Sequence, residues 1–281
     1  MTLDSRATRF AGIPFRHLDM DAAAHLLLSE EGLGTAQPWR LVNAYSVTLG
    51  ARDEAYGSVL RGEGVNLADG TPVAWTLRTL CQREGSTTSP DRVRGPSFFS
   101  RVLDQGRTAG VRHFLLGGSP ETLAALQDAI AERFPGTSIV GVESPPFRPL
   151  TADELADQDR RIRQSGADLV WVGLGTPRQD IEAARLARTV GRPAIAVGAA
   201  FDFLAGTKPE APAWVQRLSL EWLFRFASEP RRLWRRYTVE LVRLAILVVR
   251  ELRAQRRTVP ALTGSARVGV PVGEEPGGVP A

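Results

Sequence analysis

The sequence predicts an α/β fold, in which a mostly parallel sheet carries helices on both faces and is followed by a C-terminal helical appendage. Short apolar runs rich in β-branched residues alternate with longer amphipathic stretches, and this alternation is typical of a parallel sheet. Beyond about residue 206 the sequence becomes rich in arginine, which indicates a separate appendage. We therefore expect a core over 1–206 and a basic amphipathic appendage over 207–257. Gly, Pro and Val recur without periodicity over 258–281, which predicts a disordered tail.

The predicted elements follow one another in βαβα order. The stretch from Leu18 to Leu33 contains the first amphipathic helix, which begins at Asp19 or Asp21 and ends at Gly32. Four apolar runs are predicted strands: Arg40 to Leu49, Val111 to Leu116, Ala167 to Leu174 and Pro193 to Val197. Three amphipathic stretches are predicted helices: Pro120 to Phe134, Asp153 to Ser165 and Gln179 to Val190. In such a sheet, ligands bind at the loops that follow the carboxyl ends of the strands.

The composition excludes several kinds of site. The chain has 281 residues, 43% of them apolar, and a single cysteine, Cys81, which excludes a disulfide framework and a cysteine-rich zinc site. His17, His25 and His113 show no ligand spacing. Asp19-Met20-Asp21 resembles a metal-binding D-x-D, but it lies where aspartates cap a helix. We expect neither a metal nor a cofactor.

The apolar pattern also predicts where the protein resides. The start of the sequence lacks the apolar core of a signal peptide, so we expect a cytoplasmic protein. No run approaches the roughly 20 apolar residues that a membrane span needs.

The arginine-rich segment predicts an interaction surface. Between Arg225 and Arg257 there are ten arginines and three acidic residues, against a net charge of +4 for the whole chain. On a helix, one stripe is apolar and a second, roughly opposite, is basic: Trp234, Tyr237, Leu241, Leu244 and Val248, then Arg236, Arg243, Arg250 and Arg257. Such a helix suits an anionic membrane surface. A helix packed on the core with a solvated arginine face explains the spacing equally well, and nucleic-acid binding is a third alternative that lacks a recognised motif.

Two loops after predicted strands combine glycine with the start of a helix. They are Leu116 to Glu121 (LGGSPE) and Gly173 to Gln179 (GLGTPRQ). Glycine lets a ligand approach the backbone, and free N–H groups at a helix N-terminus attract phosphate. A plain tight turn is the alternative for each loop, but two such loops in one α/β chain favour a nucleotide site. Neither loop matches the dinucleotide fingerprint or the P-loop, which disfavours a dehydrogenase or an NTPase.

A carboxylate beside a glycine turn is the candidate for acid–base chemistry. Asp69 lies within Asn66 to Pro72, just before an apolar run. The local pattern favours a role as cap of the helix that Thr71 and Pro72 begin. The alternative is that Asp69 projects into a cleft as a general base.

Eight segments together resemble the WecG/TagA/CpsF family of bacterial glycosyltransferases (glycosyltransferase family 26). In order they are VNAYS (42–46), ADGTPV (68–73), RVRG (92–95), FLLGGSPE (114–121), SPPF (144–147), WVGLGTPRQD (171–180), VGAAFDFLAGT (197–207) and EWLFR…EPRRLWRRY (221–237). The resemblance implies an inverting, metal-independent transferase that moves N-acetylmannosamine, or a related hexosamine or uronate, from a UDP-sugar to an undecaprenyl-diphosphate-linked sugar. The implied pathways are teichoic-acid linkage, common-antigen or capsule synthesis. It also implies a Rossmann-like core whose helical appendage binds the membrane and completes the active site.

The resemblance assigns roles to individual residues. It makes Asp69 the candidate general base, with Asn43 beside it in the donor-sugar pocket and Arg92 on the arginine of the RV-x-G motif. Further implied residues are Gln179 and Asp202 near the nucleotide sugar, and the appendage arginines Arg225, Arg232 and Arg235 as catalytic contacts to a diphosphate. Gly117 and Gly118 are a physical inference for nucleotide approach. The chain departs from the family pattern at Leu41, where a small hydroxyl residue is expected, and at Asp180-Ile181, which replaces Glu-Lys-Trp or Glu-x-Trp.

The implied partners are a UDP-sugar donor, an undecaprenyl-diphosphate-linked sugar acceptor and an anionic membrane surface. No nucleic-acid partner is expected, and a homo-oligomer stays open. The protein would be peripheral on the inner face of the plasma membrane. The alternative is a non-catalytic scaffold that binds a nucleotide sugar at the membrane and needs no carboxylate at position 69.

Overall fold

The computed structural model describes residues 6–212, 214–215, 224 and 230–258, and within the last range the side chains of 239–255. An antiparallel hairpin, β1 (Ala7–Phe10) and β2 (Ile13–Arg16), precedes a six-stranded sheet. The sheet strands are β3 (Pro38–Val42), β4 (Val65–Ala68), β5 (Arg112–Gly117), β6 (Ser138–Glu143), β7 (Leu169–Gly173) and β8 (Ala194–Ala196). All neighbouring pairs in the order β4-β3-β8-β7-β5-β6 are parallel, which confirms the predicted α/β class.

Helices connect the strands. In chain order they are α1 (Met20–Leu28), α2 (Glu30–Gly34), α3 (Ala44–Gly50), α4 (Glu54–Arg61), α5 (Thr71–Arg83), α6 (Gly95–Gly106), α7 (Pro120–Arg133), α8 (Ala152–Ser165), α9 (Arg178–Val190), α10 (Ala200–Leu204) and α11 (Pro230–Thr258). Side-chain caps explain several starts, because an oxygen that accepts from a free backbone N–H stabilises the first turn. Asp19, Ser119 and Thr151 cap α1, α7 and α8 in this way.

The structure corrects two of the predicted elements. The predicted strand from Arg40 to Leu49 ends at Val42, because the Asn43 side chain accepts from the Ser46 backbone N–H (3.1 Å) and starts α3. The predicted helix from Leu18 to Leu33 is two helices, because Ser29 ends α1 and its hydroxyl accepts from Gly32 N–H (3.0 Å) to cap α2.

Helix α11 packs against the core through one face. Leu244 is buried in a cluster with residues of α3, α4 and α5, and Leu247, Val248 and Leu252 pack against the same cluster. Glu240 is also buried, and it accepts hydrogen bonds from Thr48 and from Arg52 (2.9 Å). Within the described part of the chain, no helix is both long and apolar enough to span a membrane.

The packing of α11 corrects the predicted apolar stripe. Leu244 and Val248 face the core, whereas Leu241 is exposed. Trp234 and Tyr237 lie outside the described side chains. A second, exposed apolar stripe is formed by Val239, Val242, Ile246 and Val249, and Leu241 is exposed beside it. Of the alternatives that the spacing left open, the helix packed on the core with a solvated arginine face describes this part of α11, because Arg243 and Arg250 are exposed.

Candidate active site

The carboxyl ends of the parallel strands meet at one edge of the sheet. From β5 the chain continues to β6 on one side, and from β7 it continues to β8 on the other side. Connections that leave neighbouring strands in opposite directions open a crevice at their carboxyl ends, where α/β proteins bind ligands. The loops after β3, β4, β5, β7 and β8 therefore form one continuous candidate site.

The polar part of this edge contains Asn43, Asp69 and Arg92. Val42 pairs with Ala68 in the β3–β4 register, so Asn43 and Asp69 follow directly at the ends of adjacent strands. The Asp69 backbone N–H donates to the Val42 carbonyl oxygen (3.1 Å). Arg92 forms a parallel bridge with Ala68, and its Nη1 lies 3.5 Å from the Thr71 hydroxyl. The structure thus brings together three residues that the sequence separates by up to 49 positions.

Asp69 does not occupy the capping position that the local pattern favours. Gly70, with φ of 88°, is the N-cap of α5, and the helix begins at Thr71 and Pro72. A left-handed glycine between the strand and the helix turns the chain sharply immediately after Asp69. The carboxylate is half-buried at the edge of the sheet.

Asn43 uses one end of its amide to build the site. Its Oδ1 accepts from the Ser46 backbone N–H and from the Ser46 hydroxyl (3.4 Å). Because Oδ1 is held by α3, the Nδ2 group is the end of the amide that can donate to a ligand.

The other part of the edge is made of glycine. Gly117 has φ of 123°, and a Cβ atom built on it would lie 2.5 Å from the Gly173 carbonyl oxygen, so the two strand ends touch through their backbones. Gly118 also has positive φ, and its carbonyl oxygen accepts from the Ser144 hydroxyl (2.7 Å). Gly117 is buried against the end of the neighbouring strand, whereas Gly118 is half-buried, so the Gly118 backbone is the part of this stretch that a ligand can approach.

Gln179 joins two loops of the site. Its Oε1 accepts from the backbone N–H of Gly175 (3.1 Å) and of Gly198 (3.0 Å), and the side chain is almost fully buried. The Gly175 and Gly198 backbone N–H groups are therefore used in hydrogen bonds within the fold. This differs from the expectation that the Gly173–Gln179 loop presents free N–H groups to phosphate.

Asp202 lies at the same edge, on α10, and binds within its own segment. Its Oδ2 accepts from Lys208 Nζ (2.7 Å), the single lysine of the chain, and Oδ1 accepts from the Thr207 hydroxyl (3.4 Å). A ligand that engages this carboxylate would compete with Lys208.

Arg94 was missed by the sequence analysis, which singled out only the first arginine of the RVRG segment. Arg94 is buried, forms an ion pair with Glu210 (2.6 Å) and donates to the Ser97 hydroxyl (3.2 Å). It lines a cleft of about 400 Å³ between α6, α7 and α10, and none of the sequence-predicted residues lines that cleft. The cleft therefore does not locate the donor.

A buried polar network lies beneath the polar part of the edge. Arg40 on β3 donates to Asn66 Oδ1 (3.2 Å) and to the Glu63 carbonyl oxygen (2.9 Å). Burial lowers the pKa of Arg40 to about 10, although nearby Asp180 opposes the shift, so this guanidinium is charged at neutral pH. Tyr56 donates to Asp180 Oδ2 (2.7 Å). Burial raises the pKa of Asp180 to about 6, against the effects of Tyr56 and Arg40.

Some predicted residues lie beyond what the structure describes. Arg225 is outside the described residues, as are the side chains of Arg232 and Arg235. Across the described residues, no cluster of three or more His, Cys, Asp or Glu side chains could hold a metal ion.

The sequence matches a known protein family over most of its length. The model of the glycosyl transferase WecG/TagA/CpsF family matches residues 8–258, most of the chain. The protein belongs to this family. It is therefore a glycosyltransferase of the kind that builds cell-surface polysaccharides, and such enzymes in general use a nucleotide-sugar donor and a lipid-linked acceptor.

Proposed function

We propose that this member of the WecG/TagA/CpsF family is an inverting, metal-independent hexosyltransferase of glycosyltransferase family 26. The donor would be UDP-N-acetylmannosamine or a similar UDP-sugar, and the acceptor an undecaprenyl-diphosphate-linked sugar. The observation that supports the proposal is the position of Asp69, half-buried between Asn43 and Arg92 at the carboxyl edge of the sheet. A cytoplasmic location at the membrane and a role in teichoic-acid or capsule-type synthesis follow from the same assignment.

The length of the edge fits an elongated donor. From β3 to β5 the edge crosses three strand spacings, roughly 14 Å. A nucleoside diphosphate sugar is itself elongated and can lie along such an edge. We place the sugar at Asn43 and Asp69, and the nucleotide at Gly117 and Gly118, where the half-buried backbone of Gly118 permits close contact.

Asp69 would act as the general base. Its carboxylate takes the proton of an acceptor hydroxyl while that oxygen forms a bond to the anomeric carbon of the donor. The bond from that carbon to UDP breaks on the opposite face, which inverts the configuration, and UDP leaves with the bonding electron pair. A positioned general base contributes about 10²- to 10⁴-fold to the rate. Arginine side chains would stabilise the departing diphosphate, with Arg92 at the edge and Arg225, Arg232 and Arg235 proposed from the appendage.

Replacement of Asp69 by asparagine tests the proposal. Asp69→Asn should lower the turnover number for acceptor-dependent UDP release by about 10²- to 10⁴-fold. Donor affinity, measured by calorimetry with UDP-N-acetylmannosamine, should change little because the side chain keeps its size. Asp157→Asn, on the surface of α8, is the matched control and should keep full turnover. Near-normal transfer by Asp69→Asn would remove the carboxylate from the mechanism, and donor binding without turnover by the wild-type protein would support the scaffold alternative.

The outer face of α11 would hold the enzyme at an anionic membrane surface. Its exposed apolar stripe (Val239, Val242, Ile246 and Val249) is accompanied by the exposed arginines Arg243, Arg250 and Arg253. Apolar side chains that insert among acyl chains, with arginines at headgroup level, suit an interfacial helix. The double variant Val242→Asp/Ile246→Asp should lose sedimentation with phosphatidylglycerol vesicles, whereas Phe147→Asp, an exposed apolar position far from α11 in sequence, should retain it. Equal sedimentation of both variants would contradict this orientation.

A further inference from the structure

An exposed tryptophan lies near Asp69, in the first turns of α5. Trp75 comes four residues after Thr71, where the helix begins, so it lies roughly 6 Å from Thr71 along the helix axis. Trp75 is 58% exposed, whereas Val73 and Ala74 beside it are buried in the core. Long side chains on an α-helix lean toward the helix N-terminus, which here is the end next to Asp69. A large apolar ring is therefore open to solvent close to the proposed base.

The face of α5 that carries Trp75 borders the segment 91–92. Thr71, Trp75 and Arg78 share one face of the helix because they are spaced four and three residues apart. At one end of this set, the Thr71 hydroxyl lies 3.5 Å from Arg92 Nη1. At the other end, Arg78 forms an ion pair with Asp91 (3.6 Å). Trp75 lies between these two contacts.

The segment 91–92 lies on the side of β4 that faces away from the nucleotide end of the edge. Ala68, the last residue of β4, pairs with Val42 of β3 on one side and with Arg92 on the other. From β3 the sheet continues through β8 and β7 to β5, which Gly118 follows. The end of β4 therefore lies between Trp75 and Gly118.

The direction of attack in an inverting transfer determines where the acceptor binds. The attacking hydroxyl approaches the anomeric carbon opposite to the departing UDP, and the proposed donor position directs UDP toward Gly118. The acceptor sugar would therefore lie on the β4 side of Asp69, next to Trp75. The face of an aromatic ring carries partial negative charge, whereas the C–H groups on one face of a pyranose carry partial positive charge. A sugar can therefore stack on the exposed indole.

We propose that Trp75 is the stacking platform of the acceptor subsite, on which the pyranose of the acceptor lies while its hydroxyl reaches Asp69. The inference rests on the proposed function, because it takes Asp69 as the base and Gly118 as a nucleotide contact. An exposed indole also suits a membrane interface. The exposed Arg78–Asp91 pair beside the ring favours the sugar, because insertion among acyl chains would remove both charges from water.

Replacement of Trp75 tests the proposal with an acceptor that needs no membrane. Trp75→Ala should raise the KM for N-acetylglucosamine diphosphate on a short, water-soluble prenyl chain about tenfold, with little change in kcat. Trp75→Phe keeps a ring and should raise that KM less than about threefold. The dissociation constant of UDP-N-acetylmannosamine, measured by calorimetry, should stay the same in both variants. Gln82→Ala, on the same face of α5 two turns further along, is the matched control and should keep the wild-type KM.

Three results in an active enzyme would overturn this proposal and leave the proposed function intact. The first is an acceptor KM that Trp75→Ala leaves unchanged or raises no more than Gln82→Ala does. The second is an effect of Trp75→Ala confined to acceptor embedded in phosphatidylglycerol vesicles, with weaker sedimentation with those vesicles, which would identify a membrane contact. The third is weaker donor binding in Trp75→Ala. A wild-type protein that transfers no sugar to either form of the acceptor would count against the proposed function itself.

Discussion

Side chains line the carboxyl edge of the sheet at β3 and β4, whereas glycine lines it at β5 and β7. At the first place, Asn43 and Asp69 follow adjacent strand ends and present an amide and a carboxylate. At the second, Gly117 packs directly on Gly173, and the half-buried Gly118 carries the backbone that a ligand can reach. The contrast shows how one edge can provide reactive groups for a sugar at one end and close backbone contact for a nucleotide at the other.

The buried residues beneath the two parts of the edge also differ: they are polar beneath the first part and mostly apolar beneath the second. Below the first part, Arg40, Tyr56 and Asp180 are buried with hydrogen-bond partners. Below the second part, the sheet is mostly apolar. Its buried polar contact is a hydrogen bond in which His113 Nδ1 accepts from the Trp171 indole N–H (3.1 Å). Polar groups at the surface of the site thus stand above polar groups in the core, which can orient them.

Adding a side chain to the glycine part of the edge should destabilise the folded protein. Gly117→Ala places a Cβ 2.5 Å from the Gly173 carbonyl oxygen at a φ of 123°, and we expect a loss of about 4 kcal/mol or more in the free energy of unfolding. Gly118→Ala is the matched control, because its φ of 78° is unfavourable but its nearest neighbour, Thr122, lies at 3.4 Å. The control should lose about 1–2 kcal/mol. Urea unfolding measures both, and equal losses would show that the backbone contact is not what defines this part.

A substitution in the polar part of the edge should lower the rate of transfer and leave the stability of the fold nearly unchanged. Arg92→Gln removes a cation beside Asp69, and we expect kcat/KM for transfer to fall by about 10²-fold, since one electrostatic contact to a developing charge is worth about 3 kcal/mol. Arg78→Gln, an exposed arginine of α5 near Asp91, is the control and should keep its activity. The free energy of unfolding should change by less than about 0.5 kcal/mol in either variant. A comparable loss of activity in the control would mean that only the overall charge of this surface matters.

The sequence predicted the parts of the fold that local pattern determines. Strands β5 and β7 and helices α7, α8 and α9 begin and end within two residues of their predicted bounds, because each has a clear period and a cap or glycine at its end. Strand β4 was not predicted, because Asn66 interrupts its apolar run; the structure buries that side chain by pairing it with the Pro14 and Leu60 carbonyl oxygens.

For the candidate site too, some features could be predicted from the sequence and others could not. Glycine after a strand and a carboxylate beside a turn are visible in the sequence, and the family motifs pointed to Asn43 and Arg92. The partner of Asp180 was not visible, because Tyr56 lies 124 positions away and nothing in the local pattern of either residue points to the other. Contacts of this kind are set by the packing of helices, which sequence periodicity does not specify.

The buried titrating groups beneath the two parts should make opposite contributions to stability as the pH changes. Burial raises the folded-state pKa of Asp180 to about 6, so between about pH 4 and pH 6 the folded protein binds more protons than the unfolded chain, and stability falls as the pH rises. Tyr56 and Arg40 face this carboxylate and favour its charged form. Burial lowers the folded-state pKa of His113 to about 4, against an opposing effect of Asp168. Between about pH 4 and pH 6.5 the unfolded chain therefore binds more protons, and stability rises with pH.

Each contribution is about 3 kcal/mol, so they nearly cancel in the wild-type protein, whose unfolding free energy should vary little between pH 4 and pH 6.5 from these two groups. Asp180→Asn removes one contribution and should leave a stability that rises by about 3 kcal/mol over that range. His113→Gln removes the other and should leave a stability that falls by a similar amount. Urea unfolding at half-unit steps of pH measures both slopes. If both variants keep the wild-type pH dependence, neither buried group titrates in this range. The polar layer beneath Asn43 and Asp69 would then differ only in shape from the apolar layer beneath the glycine part.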